Sequence, residues 1–129
     1  KRQPFDFVVP KTLGQDIDVE NDQLSYGKGY DHNFVFIKDE GALDLAARIS
    51  EQTTGRVMEV YTTEPGLQVY TANTLETVGK AGHVYGPRSS FCLETQHFPD
   101  SPHHPHFPST VLRPGEEYAS TTIYKFLTE

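Results

Sequence analysis

The sequence predicts an all-β fold, an antiparallel β-sandwich built on one region spanning residues 1–129. Three observations predict it. Apolar and polar residues alternate with a period of two in several separate stretches. Seven tyrosines and eight phenylalanines, with no tryptophan, supply aromatic side chains of the kind that strands bury. Stretches rich in Gly, Pro, Asp and Ser punctuate the alternation, and no internal repeat, low-complexity tract or linker divides the chain.

Taken in order, "PFDFVV" alternates from Phe5 to Phe7 and runs into a breaker at Pro10. "NFVFI" places Phe34 and Phe36 on one face, with Asn33, Val35 and Ile37 on the other. "ALDLAARIS" is rich in good helix formers, but Leu43, Leu45, Ala47 and Ile49 alternate with Asp44, Ala46, Arg48 and Ser50. Bounded by Gly41 and "TTGR", it is predicted as a strand. "RVMEVYTT" and "LQVYTAN" flank Glu64-Pro65-Gly66, whose proline and glycine suit the middle of a type II turn, so two antiparallel strands with a tight connection are expected. "SFCLET" and the closing "EYASTTIYKFL" supply two further strands, while segments 14–30, 76–90 and 98–117 are expected to be loops.

Composition bounds the partners. The chain carries 18 acidic and 11 basic residues, a formal charge of −7 that disfavours nucleic acid. No apolar run approaches the length of a membrane span, and none has the layout of a signal peptide, so a membrane partner is not expected. The single cysteine, Cys92, cannot form an internal disulfide, which fits a reducing, cytoplasmic compartment.

Chemistry-bearing residues concentrate in "FCLETQHFPDSPHHPHFPST", Phe91 to Thr110. His97, His103, His104 and His106 are candidate metal ligands, but a zinc site needs about three converging ligands. Pro99, Pro102, Pro105 and Pro108 favour an extended, polyproline-like path that aligns His103 with His106 and turns His104 away. Proline-stiffened loop histidines are the simpler account. Cys92 is a candidate nucleophile, although a free cysteine is most often a small buried hydrophobe and His97 would point away from it along a strand. Glu94 shares a strand face with Cys92 and Gln96 and sits where a strand meets an irregular loop, a position suited to a general base. A surface or salt-bridged glutamate explains the same pattern.

At "CLETQHFPDSPHHPHFPST" the sequence resembles the aldose 1-epimerase (galactose mutarotase) family. "PFDFVVPKTLG", "GYDHNFVF", "TGRVMEVYTTEPGLQVYTAN" and "LRPGEEYASTTIYKF" resemble further family blocks in family order, with wording nearest to bacterial members. The resemblance implies an all-β supersandwich that interconverts the α and β anomers of free aldoses such as galactose and glucose, with no cofactor and no metal. It implies that Glu94 is the general base, that Asp31 and Gln68 hydrogen-bond sugar hydroxyls, and that Tyr70 lies near the sugar. A base and an acid across the anomeric centre are what the ring opening requires.

The resemblance covers only the C-terminal portion of the family's length. It implies that the acid histidine, a second substrate histidine and an arginine belong to an N-terminal portion, which this chain would need as its partner. Lys1 in place of Met fits the expectation of a processed product or fragment, in which strands that pair with N-terminal ones would present bare edges. The alternative function is a non-catalytic carbohydrate-binding β-sandwich module, which needs no base at Glu94.

Overall fold

A computed structural model describes residues 3–129. The described residues form eight strands, one short helix and three 3-10 turns. The strands are β1 (Asp31–Val35), β2 (Asp44–Glu51), β3 (Arg56–Thr62), β4 (Gly66–Tyr70), β5 (Thr77–Val78), β6 (Val84–Tyr85), β7 (Cys92–Gln96) and β8 (Thr122–Thr128). They make two three-stranded sheets, ordered β1-β4-β7 and β2-β3-β8, and a small β5-β6 ribbon. β3 pairs antiparallel with both β2 and β8, and β5 pairs antiparallel with β6. The fold is all-β.

The chain divides into two compact units. One comprises the described part of Lys1–His32 with Val69–Leu93, the other Asn33–Gln68 with Glu94–Glu129. The first is organised on Tyr30, which is fully buried. Its hydroxyl donates to the Pro4 carbonyl at 2.9 Å, and Phe5 and Phe7 pack edge-on against its ring. Asn73 donates from one amide nitrogen to the carbonyls of Gly27 and Tyr30, at 2.8 and 2.9 Å. The Thr71 hydroxyl in turn donates to Asn73 Oδ1 at 2.6 Å. Such buried polar groups are tolerated because each is satisfied. Gly29 is required here: its φ is +139°, and a Cβ would stand 2.3 Å from Asn73 Oδ1.

The second unit holds the β2-β3-β8 sheet. Along one row Arg48, Glu59 and Lys125 stand opposite one another, and Glu59 lies 3.5 Å from Arg48 Nε and 3.3 Å from Lys125 Nζ. Val57, Val60 and Thr62 supply buried positions on the central strand. On β8, Ile123, Tyr124, Phe126 and Leu127 remain exposed, as does Leu45 on β2.

Several sequence expectations are corrected. "PFDFVV" is not a strand: Asp6 N–H bonds to the Gln3 carbonyl and Val8 N–H to Asp6 Oδ1, so the backbone turns and its aromatics serve Tyr30. "ALDLAARIS" is a strand, but its register shifts between Leu45 and Ala47, which leaves Leu45 exposed and ends the simple alternation. β3 and β4 are not a hairpin: after Thr62 the chain leaves one sheet and enters the other. Gly66 does not have the positive φ of a type II turn. It is glycine for space, because a Cβ would lie 2.7 Å from Asn33 Oδ1 and 3.1 Å from the Phe98 ring. The expected loop 14–30 contains a helix, α1 (Asp22–Gly27), capped by Asn21, whose side chain accepts from Gln23 and Leu24 N–H. The expected loop 76–90 contains the β5-β6 ribbon.

Candidate active site

Glu94 lies on β7, where burial alternates from Cys92 to Thr95: Leu93 is buried and Thr95 half-buried, while Cys92 and Glu94 are exposed; Gln96 is half-buried. The Glu94 side chain makes no hydrogen bond or ion pair to a described residue. Gln68 is half-buried on β4, the strand next to β7 in sheet order, between buried Leu67 and Val69. Glu94 and Gln68 belong to the second unit. Tyr70 is half-buried at the end of β4.

Asp31 opens β1 in the first unit and is exposed. Its backbone N–H donates to Nδ1 of His32 at 2.9 Å. Burial holds the His32 imidazole below its ordinary pKa, although Asp31 and the Gln23 backbone oppose this. The neutral ring therefore accepts through Nδ1, and it packs edge-on against Phe5 at 4.6 Å. His32 is a strut under Asp31.

A buried carboxylate that sequence reasoning missed lies in the second unit. Glu64, 5% exposed, follows β3 and was legible only as part of a turn. Its Oε2 lies 2.7 Å from His97 Nδ1, and its Oε1 accepts from the Tyr118 hydroxyl. Burial pushes its pKa up, but hydrogen bonds from Ser120, Tyr118 and His97 outweigh burial and hold the carboxyl below its ordinary value. Its backbone N–H donates to Thr62 Oγ1 at 3.0 Å. Thr62 Oγ1 is 3.1 Å from that of Thr122, which is 2.7 Å from that of Thr95. A glutamate ahead of Pro-Gly carries no sign of burial in sequence, so nothing local marks this cluster.

The histidine segment does not follow a polyproline path. Asp100 has a φ of +59°, a 3-10 turn covers Ser101–His103, and His104 meets His106 edge-on at 5.6 Å, in place of the predicted His103–His106 alignment. His103 turns back to Asp100. Among the described residues, no group of three or more His, Cys, Asp or Glu is placed to hold a metal ion. Cys92 is exposed, not the small buried hydrophobe that its type suggests. No helix among the described residues is long and apolar enough to cross a membrane.

The family model for aldose 1-epimerase matches residues 1–125. The chain belongs to the aldose 1-epimerase family. It is 46% identical over 124 residues to galactose mutarotase of Homo sapiens and 45% identical to that of Rattus norvegicus, in each case across 95% of this chain. It is 37% identical over 128 residues to aldose 1-epimerase of Escherichia coli (strain K12). Identity is thus higher to these mammalian sequences than to the E. coli one. A solved GalM/aldose epimerase homologue from C. elegans superposes with a TM-score of 0.69 at 26% identity, over 76% of this chain and 30% of that one. That likeness fits an all-β sandwich. The chain spans about a third of the length of the curated relatives it matches, 34% for the human and rat proteins.

Proposed function

We propose that this chain is the base-bearing C-terminal portion of an aldose 1-epimerase acting on free hexoses such as galactose and glucose. The observation that carries the proposal is Glu94 itself. It is an exposed carboxylate without a protein partner among the described residues, held on a strand between a buried leucine and a hydrogen-bonded threonine, within the stretch that matches the family. In this reading Glu94 takes the proton from the C1 hydroxyl while an acid protonates the ring oxygen. The C1–O5 bond breaks and leaves an open-chain aldehyde. Rotation about C1–C2 turns the other carbonyl face toward the ring hydroxyl. Ring closure, with the two groups exchanging roles, gives the opposite anomer.

Asp31 and Gln68 hydrogen-bond sugar hydroxyls in the same reading, a task suited to a carboxylate acceptor and to an amide that both donates and accepts. The acid is a histidine supplied by an N-terminal portion of the same protein. Two observations support this. His32 and His97, which neighbour the site residues in sequence, are both committed to protein partners. The apolar side chains exposed on β8 suit a strand or layer that a longer chain would place over them. A cytoplasmic setting belongs to the same proposal and rests on the single cysteine.

The test is polarimetry of freshly dissolved α-D-galactose with the full-length protein and its Glu94→Gln variant. The variant should lose turnover by about 10²–10⁴-fold while still binding sugar. Full turnover in Glu94→Gln overturns the base assignment. Sugar binding without turnover in the parent protein favours a carbohydrate-binding module.

A further inference from the structure

The Glu94 side chain makes no hydrogen bond or ion pair to a described residue, so the placement of β7 sets where its carboxylate stands. That backbone is paired with β4 in its sheet, and it has further ties on the face opposite Glu94. Leu93 is buried, and Thr95 and His97 both enter the polar cluster around Glu64. From Thr95 the hydroxyl chain runs through Thr122, at 2.7 Å, to Thr62, at 3.1 Å. Thr62 accepts the Glu64 N–H at 3.0 Å, and the Glu64 carboxylate returns to the β7 segment at His97, 2.7 Å away. The contacts close a ring that leaves the strand segment at one residue and re-enters it two residues later.

The ring's charge is settled by its surroundings. Hydrogen bonds keep Glu64 ionised at neutral pH against the effect of burial, so it is an obligate acceptor and His97 donates through Nδ1. Beyond His97 the chain turns into irregular, proline-rich structure anchored by Phe98 on Phe107. Without the ring, the strand end that carries Glu94 would keep its pairing with β4 and the burial of Leu93 but lose the polar ties at Thr95 and His97.

We propose that Glu64 and His97 are positioning residues for Glu94, fixing the β7 end through this ring from the face the sugar does not touch. The proposal rests on the epimerase reading above. A reacting group misplaced by about 1 Å costs on the order of 10²-fold in rate, so loss of the ring should be read in turnover and not in substrate affinity.

The experiment compares four variants of the full-length protein by mutarotation kinetics on galactose. His97→Ala should lower kcat by about ten- to a hundredfold with KM little changed. His97→Asn should restore most of the loss, because its side-chain amide N–H stands near the place of Nδ1 and still donates to Glu64. Thr95→Val, a gentler cut of the same ring, should lower kcat several-fold at unchanged KM. It also serves if His97→Ala fails to fold. Parent-like kcat in His97→Ala or in Thr95→Val, alongside an inactive Glu94→Gln, overturns the positioning role and leaves the base intact. Equal losses in His97→Ala and His97→Asn overturn it too, since the hydrogen bond would then not be what matters. An active Glu94→Gln overturns the epimerase reading itself, and the positioning role falls with it.

Discussion

Replacing Thr62 with valine tests the polar ring in its most buried member. Thr62 is fully buried, and valine matches its shape, so no cavity opens and the change is almost purely polar. Two interactions are lost. The Glu64 N–H, 3.0 Å from Thr62 Oγ1, is left without that acceptor, at a cost of about 1–3 kcal/mol. The hydroxyl pair with Thr122 at 3.1 Å is lost as well, worth about 0.5–1.5 kcal/mol. The expected destabilisation is therefore about 1.5–4.5 kcal/mol. Native-state hydrogen exchange in the full-length protein reads it locally: the Glu64 amide should exchange about tenfold faster or more. A cycle with Thr122→Val sharpens the test. The double variant should cost about 1 kcal/mol less than the two single changes added, because their shared hydroxyl pair is lost only once. Unchanged exchange at Glu64, with stability within about 0.5 kcal/mol of the parent, refutes the ring as a stabilising element.

Two further outcomes follow from the structure. Gly66→Ala should destabilise the protein by about 1–3 kcal/mol, measured by urea unfolding, because its methyl would press on Asn33 Oδ1 and on Phe98 in a buried setting. Glu51, which accepts from the Thr54 hydroxyl and from the Thr53 and Thr54 N–H groups, has its carboxyl lowered to about 2. A carboxylate with a depressed folded-state pKa contributes stability that is present above the unfolded value and lost as pH falls. The stability gap between the parent and Glu51→Gln should therefore be full at neutral pH and close as pH drops from about 4.5 to about 2. A gap independent of pH across that window would show that the carboxylate is not held by those donors.

What the sequence determined alone is whatever depends on residues near one another in the chain. The period-2 stretches "NFVFI" and "ALDLAARIS" fall on β1 and β2, because alternate side chains on a strand face opposite sides whatever the strand pairs with. The family was legible for a similar reason: five blocks in fixed order carry it. Tertiary structure decided the rest. Whether β3 turns back on β4 or passes into another sheet depends on partners far away in sequence, and local turn chemistry at Pro65-Gly66 pointed the wrong way. Phe5 and Phe7 alternate like strand residues, yet the buried Tyr30 ring captures them instead. The Glu64 cluster draws on residues separated by 33 positions to His97 and 54 to Tyr118. No local pattern can announce it, because a carboxylate is buried and ionised only once distant donors have been brought to it.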